Sequence, residues 1–346
     1  MRNLYYGTFV PGMQEAAAET VRERLEDVSI VKLLEGAIAF ETECSYDRLN
    51  FFCFNNIFAV IDILAVMPNT GAPLEAHAGK IGQAEGVLSE RARAVVSENN
   101  KKIKTFRLVC SLENKPVSID ENRKRKVEEF IACNSMLRVD RANPDTEFWL
   151  LYRREGFSFF MKRLTRSAEK SLHPGELTPQ LAWFLCRLAE SGPGEIILDP
   201  FCGYGSIPEA ALKHFPIKKF YASDTDPRCV KITASKRGLK NDRCEIRRSD
   251  VFSIPDFIPE EGIDAIITDP PWGMYKETKV PLEKFYEETL DLFSGLLRIG
   301  GRAVILTAAR EELEFGVEKA ATLRIMKVIP ILVSGKKAAV FLIKKQ

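Results

Sequence analysis

The pattern of apolar and polar positions changes about halfway along this chain of 346 residues. In the first half, short apolar runs alternate with single amphipathic helices, which predicts a small α+β region. From about residue 178, strands and helices alternate strictly, as in repeated βα units that form a mostly parallel, doubly wound sheet. Two consecutive strands then follow, Leu323 to Val333 and Ala338 to Lys344, so one edge of this α/β sheet should be antiparallel.

The individual elements follow from the same pattern. The predicted strands are Leu4 to Val10, Ala37 to Glu41, Ile57 to Val66, Lys104 to Ser111, Glu147 to Tyr152, Ser158 to Arg163, Glu195 to Asp199, Lys219 to Ser223, Cys244 to Arg248, Ala265 to Thr268 and Arg302 to Thr307. The predicted helices are Gln14 to Leu25, Gln83 to Val96, Glu121 to Cys133, Thr178 to Glu190, Pro208 to His214, Asp226 to Arg237 and Leu282 to Leu297. Residues 67 to 80 contain several Pro and Gly residues and are predicted to be a loop.

Composition excludes several classes of protein. With 45% hydrophobic and 28% charged residues, the chain is typical of globular domains and not of fibrous or disordered ones. No segment approaches the roughly 18 apolar residues of a membrane helix, and the first residues lack the pattern of a signal peptide, so we expect a cytoplasmic protein without a membrane partner. The eight Cys residues form no C-x-x-C pair and the three His residues are far apart, so no metal site is predicted.

The net charge of +2 hides an uneven distribution along the chain. Residues 1–95 carry 8 basic against 13 acidic residues, residues 96–166 carry 16 against 10, and residues 167–346 carry 26 against 25. We take these three segments as predicted domains. The basic middle segment suggests an anionic partner such as RNA, although its Arg123-Lys124-Arg125-Lys126 run is also typical of a solvated helix face.

A glycine-rich turn follows the strand that ends at Asp199. Gly203 and Gly205 lie two apart before a helix, which opens backbone N–H groups to a ligand. A nicotinamide cofactor would favour glycine at position 208, which is Pro208, and its pyrophosphate would be repelled by Asp199. S-adenosylmethionine fits better because Asp199 can receive its ammonium group. A tight turn without a ligand is the alternative.

Two further carboxylates follow the next two predicted strands. Asp224 lies 19 residues after Gly205, where a carboxylate can accept from both ribose hydroxyls of a nucleoside. Asp250 is placed to accept from the adenine amino group. Either residue alone could instead cap a helix, and Asp226 before Pro227 is predicted to do so.

The fourth strand leads into Asp269-Pro270-Pro271-Trp272-Gly273. The prolines stiffen the chain, so that the Asp269 side chain and the Pro270 carbonyl point outward from the carboxyl edge of the sheet. Two converging acceptors suit an exocyclic amino group, whose lone pair they direct toward an electrophile. The Trp272 ring offers a stacking surface for a flipped base. A packed loop without a ligand is the alternative.

These motifs resemble a known family. Asp199 to Ser206 together with Asp269 to Gly273 is similar to class I S-adenosylmethionine-dependent amino methyltransferases, and Leu172 to Pro179 resembles the segment that closes over the cofactor there. Three upstream stretches are similar to the ferredoxin-like and THUMP modules of THUMP-containing RNA guanine-N2 methyltransferases. They are Tyr5 to Gly12, Gly36 to Thr42 and Thr105 to Thr165.

The resemblance implies a ferredoxin-like domain (1–95), a THUMP module (96–166) that grips RNA, with tRNA as the expected partner, and a Rossmann-like methyltransferase domain (167–346). It implies transfer of a methyl group from S-adenosylmethionine to the N2 amine of a guanine. The predicted cofactor contacts are Asp199, Phe201, Cys202, Gly203, Gly205, Asp224, Thr225, Asp250 and Val251. The predicted catalytic residues are Asp269, Pro270, Pro271 and Trp272.

The chain departs from the family pattern at two positions. Pro208 lies in the first turn of its helix, where a missing N–H is tolerated, and Trp272 replaces the more usual Tyr or Phe. A DNA adenine-N6 or cytosine-N4 methyltransferase shares the Asp-Pro-Pro-aromatic signature and remains an alternative. A non-catalytic RNA-binding protein with a degenerate methyltransferase domain is the other.

Overall fold

The computed structural model describes residues 2–46, 49, 51–66, 72–97, 103–113, 115–165, 172–258, 262–273 and 280–346. Contacts within the chain divide it into two compact units. The first comprises the described residues of Met1–Phe9 and Ala18–Ala168, and the second those of Val10–Ala17 and Glu169–Gln346. In the described part of the chain, no helix is both long and apolar enough to cross a membrane.

The N-terminal unit is built around one nine-stranded sheet with the order β2-β3-β1-β4-β9-β8-β5-β6, in which β7 also pairs with β5. Its strands are β1 (Asn3–Thr8), β2 (Ser29–Leu34), β3 (Ala37–Thr42), β4 (Asn56–Ala65), β5 (Thr105–Leu112), β6 (Lys115–Pro116), β7 (Arg138–Val139), β8 (Thr146–Arg153) and β9 (Phe157–Arg163). Its helices are α2 (Pro73–Ile81), α3 (Val87–Ser97), α4 (Glu121–Ser135) and, from Ala18 onward, α1 (Gln14–Arg24). Because β4 pairs with β9, this sheet is continuous across the predicted boundary at residue 95, and the three-domain division stays a prediction.

One predicted loop in this unit is wrong over its described part. Residues 72–80 were expected to be irregular, but α2 occupies Pro73–Ile81, whereas residues 67–71 lie outside the described part. Pro73 stands in the first helical turn, where its missing N–H costs no hydrogen bond. Leu74, Ala78 and Ile81 are buried in the core beneath the sheet, so tertiary packing stabilises a helix that the Pro and Gly content disfavours.

The basic run lies on α4. The Asp120 side chain caps this helix by accepting from the backbone N–H of Arg123 at 3.0 Å. Val127, Phe130 and Ile131 are buried on one side of the helix, whereas Arg123, Arg125 and Lys126 are exposed. The run is therefore a solvated helix face, which leaves its positive charge accessible to an anionic partner.

The C-terminal unit confirms the predicted α/β architecture. Its sheet has the order β12-β11-β10-β13-β14-β16-β15. The strands are β10 (Ile196–Asp199), β11 (Lys219–Asp224), β12 (Cys244–Arg248), β13 (Ile263–Thr268), β14 (Leu297–Thr307), β15 (Leu323–Val333) and β16 (Lys336–Lys345). The helices are α5 (Pro179–Leu188), α6 (Ser206–His214), α7 (Pro227–Ser235), α8 (Leu282–Leu296) and α9 (Arg310–Lys319).

The strands β10 to β14 run parallel, and β16 pairs antiparallel with both β14 and β15, as the sequence predicted for this edge. The strand order reverses between β10 and β13. From β10, the strands β11 and β12 extend the sheet on one side, and β13 to β16 extend it on the other. In open α/β sheets, ligands bind at the carboxyl ends of the strands beside such a reversal. We therefore expect a binding site at the ends of β10, β11, β12 and β13.

Candidate active site

Four carboxylates lie at the carboxyl ends of these four strands, at the same edge of the sheet. Asp199 and Asp224 are the last residues of β10 and β11, Asp250 follows β12, and Asp269 directly follows β13. Parallel strands have their carboxyl ends on one side, so the topology gathers these four side chains around the reversal in strand order. This is the grouping that the sequence predicted.

The glycine turn after β10 is tied to the end of β11. The Cys202 N–H donates to the Ser223 carbonyl at 2.9 Å, and the Gly203 N–H donates to Asp224 Oδ2 at 2.9 Å. Gly203 has a φ of +50°, and a Cβ built there would meet no heavy atom within 4 Å, so this side of the turn is open. Gly205 has a φ of +79°, and a Cβ there would lie 2.5 Å from Cγ2 of Thr233. The two glycines therefore have different roles: open access at Gly203 and close packing at Gly205.

The two glycines should respond differently to substitution by alanine. Gly205→Ala should lower the free energy of unfolding by about 1–3 kcal/mol, because the new methyl group clashes with Thr233 and the positive φ strains the backbone. Gly203→Ala should destabilise less, since only the backbone term applies, but should weaken cofactor binding. Thermal unfolding of both variants and calorimetric titration with S-adenosylmethionine check this. Equal losses of stability in the two variants would contradict it.

Asp199 is almost fully buried, and its two oxygens differ. Oδ1 accepts from Thr268 Oγ1 at 2.7 Å and from the Phe201 N–H at 3.1 Å. Oδ2 is buried and has no hydrogen-bond partner among the described residues. Burial raises the pKa of Asp199 to about 7. A buried acceptor without a donor suits a cationic ligand group, such as the ammonium of S-adenosylmethionine.

Asp224 accepts from two backbone donors, Gly203 N–H on Oδ2 and Asp226 N–H on Oδ1 at 2.8 Å. Each carboxylate oxygen has a second lone pair, so acceptors for ribose hydroxyls remain. Asp250 is half-buried, and its Oδ1 caps the 3₁₀ turn at Val251–Asp256 by accepting from the Phe252 N–H at 3.2 Å. Asp226 caps α7, as predicted.

Three other predicted cofactor residues differ in what they offer. Thr225 is exposed, and its carbonyl accepts from the Arg248 side chain. Phe201 packs on Phe285, with ring centroids 5.8 Å apart. The Val251 side chain is buried in the core under the sheet, so only its backbone remains for a ligand.

The predicted catalytic residues after β13, Asp269 to Trp272, form a stiff, well-anchored loop. Pro270 is buried, and the carbonyl of Pro271 accepts from the Tyr286 hydroxyl at 3.2 Å. The Trp272 indole N–H donates to Asp269 Oδ1 at 2.8 Å. Burial raises the pKa of Asp269 to about 8; the indole hydrogen bond lowers it, and the neighbouring Asp199 raises it further.

Sequence reasoning missed Tyr286. This residue on α8 is buried, and its hydroxyl also hydrogen bonds with Thr307 Oγ1 on β14 at 2.6 Å. It thus fixes the Pro271 carbonyl to the end of a neighbouring strand. The available signal was weak: a tyrosine on the apolar face of a predicted helix needs a polar partner, but the pattern does not say which.

The segment expected to close over the cofactor contacts the glycine turn and the start of α6. The rings of His173 and Tyr204 stack with centroids 4.3 Å apart, and Ser206 Oγ donates to the Leu177 carbonyl at 3.0 Å. Lys236 Nζ lies 3.3 Å from Glu176 of this segment. Among the described residues, no group of three or more His, Cys, Asp or Glu could hold a metal ion.

Comparison with known proteins shows the family of this chain. The RMKL-like methyltransferase domain family, UPF0020, matches residues 166–336. The chain is 31% identical over 229 residues to the tRNA (guanine(6)-N2)-methyltransferase of Thermus thermophilus, a match that covers 64% of this chain and 68% of that enzyme. The chain belongs to this family of methyltransferases.

Other matches agree with the assignment. The chain is 35% identical over 125 residues to the tRNA (guanine(10)-N2)-dimethyltransferase of Methanocaldococcus jannaschii, which covers 34% of this chain and about a third of that enzyme (35%). The crystal structure of TrmN from Thermus thermophilus superposes over 99% of this chain and 100% of that chain, with a TM-score of 0.75 and 22% identity. The fold is that of a class I methyltransferase. This protein is therefore an enzyme that uses S-adenosylmethionine. The unpartnered Asp199 Oδ2 and the open side of Gly203 fit this cofactor.

Proposed function

We propose that this methyltransferase transfers a methyl group to the exocyclic N2 amine of a guanine in RNA, with tRNA as the expected substrate. The observation that carries the proposal is the rigid Asp269-to-Trp272 loop at the carboxyl end of β13, next to the glycine turn and Asp199. Relatives that carry out this reaction on tRNA support it. A cytoplasmic location stays a prediction.

The chain's own residues would hold the cofactor at the ends of β10 to β12. Asp199 Oδ2 is the acceptor for the ammonium group of the cofactor. The open side of the Gly203 turn leaves room for the cofactor chain, and Asp224 accepts from the ribose hydroxyls. Asp250 would accept from the adenine amino group. When bound, S-adenosylmethionine supplies an electrophilic methyl group on a sulfonium, so neither a metal nor a covalent enzyme intermediate is needed.

Asp269 then serves as acceptor and orienter for the target amine. The lone pair of an exocyclic guanine nitrogen is shared with the ring, so this nitrogen is a poor nucleophile. Acceptance of both N–H bonds, by Asp269 and the Pro270 carbonyl, directs the lone pair toward the methyl group. The ring of Trp272 would stack on the flipped base, which is worth about 1–3 kcal/mol.

The N-terminal unit would deliver the RNA. Its exposed cations on α4, Arg123, Arg125 and Lys126, lie on a helix whose other face is fixed in the core. Such a surface suits the phosphate backbone of a folded RNA. We propose residues 96–166 as the THUMP module of this delivery unit, preceded by a ferredoxin-like domain over 1–95.

Methyl transfer from labelled S-adenosylmethionine tests the function directly. We expect label in unmodified tRNA, recovered as N2-methylguanosine after digestion to nucleosides, and none in duplex DNA. Binding to tRNA should also weaken steeply as salt rises, because phosphate contacts release counterions. Label in DNA as N6-methyladenine or N4-methylcytosine would favour the amino methyltransferases of DNA. No transfer to either polymer, with the cofactor unbound, would favour a degenerate domain.

A further inference from the structure

Trp272 provides a hydrogen-bond donor as well as an aromatic ring. Its indole N–H donates to Oδ1 of Asp269, three residues earlier, at 2.8 Å, and the two residues between them are Pro270 and Pro271. Proline fixes φ near −65°, so donor and acceptor are joined by a stiff link. Tyr286 also anchors this link, because its hydroxyl donates to the Pro271 carbonyl.

This bond makes the two oxygens of the Asp269 carboxylate inequivalent. Oδ1 is engaged by the indole, which fixes the rotation of the carboxyl group about its own axis. Oδ2 has no donor among the described residues, so it is the oxygen that we expect to accept from a ligand. A Phe ring would stack equally well but has no donor, and a Tyr hydroxyl lies at the far end of its ring, away from the position of an indole N–H.

We propose that Trp272 is a positioning residue for Asp269: its indole N–H orients the carboxylate and favours its ionised form, in addition to any contact of the ring with the base. The inference rests on the proposed function for its catalytic consequence. The hydrogen bond itself can be tested without it.

Charged and titratable groups around Asp269 set the direction of the effect. Asp199 on β10 opposes ionisation of Asp269, as burial does, whereas the indole bond favours it. Tyr286 on α8 stays neutral, because burial raises the pKa of its hydroxyl, with Asp269 adding to the rise. Loss of the indole N–H should therefore raise the pKa of Asp269, and the carboxylate form should be lost at a higher pH than in the wild type.

The indole N–H signals of the full chain provide a test that needs no substrate. The chain has three tryptophans, so ¹⁵N-indole labelling yields three peaks in a proton–nitrogen correlation spectrum. The peak of Trp272, assigned from Trp272→Phe, should shift with a midpoint near pH 8, and this titration should vanish in Asp269→Asn. A Trp272 peak that does not move between about pH 6 and 9, or that moves equally in Asp269→Asn, overturns the proposal.

The other two tryptophans are internal controls. Trp149 Nε1 donates to Glu147 Oε2 at 3.0 Å. Burial raises the pKa of Glu147, but hydrogen bonds from Arg163 and Trp149 outweigh this and hold it below its usual value. The Trp149 peak should thus titrate only in acid. Trp183 Nε1 is buried with no partner in the described part of the chain, so its peak should stay in place.

A second experiment tests the catalytic consequence. Benzothienylalanine at position 272 replaces the indole N–H by sulfur and keeps the shape and stacking surface of the ring. We expect the acid limb of the single-turnover rate to move up by about one pH unit, a roughly tenfold slower rate at a pH on that limb, with an unchanged KM for RNA. An unchanged pH profile overturns the positioning role. If the wild type itself methylates no RNA guanine, the proposed function fails, and the indole titration still decides the hydrogen bond.

Discussion

Asp269→Ala is expected to slow methyl transfer to RNA by about 100- to 1,000-fold, the loss typical of removing a preorganised polar group at the reacting centre. Alanine removes the side-chain acceptor proposed for the target amine, and it also leaves the Trp272 indole N–H without its acceptor. Cofactor binding should change little, because Asp269 lies after β13 and the proposed cofactor contacts lie after β10 to β12.

Single-turnover rates with saturating labelled cofactor measure this loss. Asp269→Asn keeps one oxygen acceptor and the shape of the side chain, so its rate should fall between those of the wild type and the alanine variant. Asp256→Ala is a matched control, since Asp256 is an exposed acid in the same unit. Undiminished transfer by Asp269→Ala would remove Asp269 from the mechanism, whatever the RNA substrate.

Asp224→Ala is expected to weaken binding of S-adenosylmethionine by roughly 100-fold. The substitution deletes the proposed ribose acceptor and releases the Gly203 N–H and the Asp226 N–H, so the glycine turn loses one of its two hydrogen bonds to β11. Hydrogen bonds to a charged group are worth about 1.5–3 kcal/mol each, and the loss of one or two of them gives a change of this size.

Calorimetric titration with S-adenosylmethionine or its demethylated product measures the affinity. Asp226→Ala provides the control two residues away, because the Asp226 side chain caps α7. That variant should lose about 1 kcal/mol of stability and keep its affinity. If both variants bound equally well, Asp224 would be a structural residue of the turn only.

Much of the fold could be predicted because strong local patterns and tertiary packing agree. The strict βα alternation, the antiparallel strands at Leu323–Val333 and Lys336–Lys345, and the hairpin of β8 and β9 are all confirmed. The helix α9 was missed because its sequence is mostly charged and contains Gly316. A Cβ at Gly316 would lie 2.7 Å from Leu290 Cδ1, so close packing on α8 stabilises this helix.

Placement of the candidate site could be predicted, but its internal contacts could not. An acid at the end of a parallel strand is located by the topology alone, which is why Asp199, Asp224 and Asp269 meet at one edge. The partner of an indole N–H or a tyrosine hydroxyl depends on rotamers and on elements distant in the chain. The bond of Trp272 to Asp269 and that of Tyr286 to Pro271 are of this kind.

The position of β16 has a consequence for synthesis of the protein. This strand lies between β14 and β15 although it follows both in the chain. While the ribosome has yet to translate residues 336–345, β14 has no neighbour on one side, and the unpaired backbone N–H and C=O groups of this edge are open to pairing with other nascent chains. The sheet can close only after those residues have emerged from the ribosome, because β15 is joined to β14 only through β16.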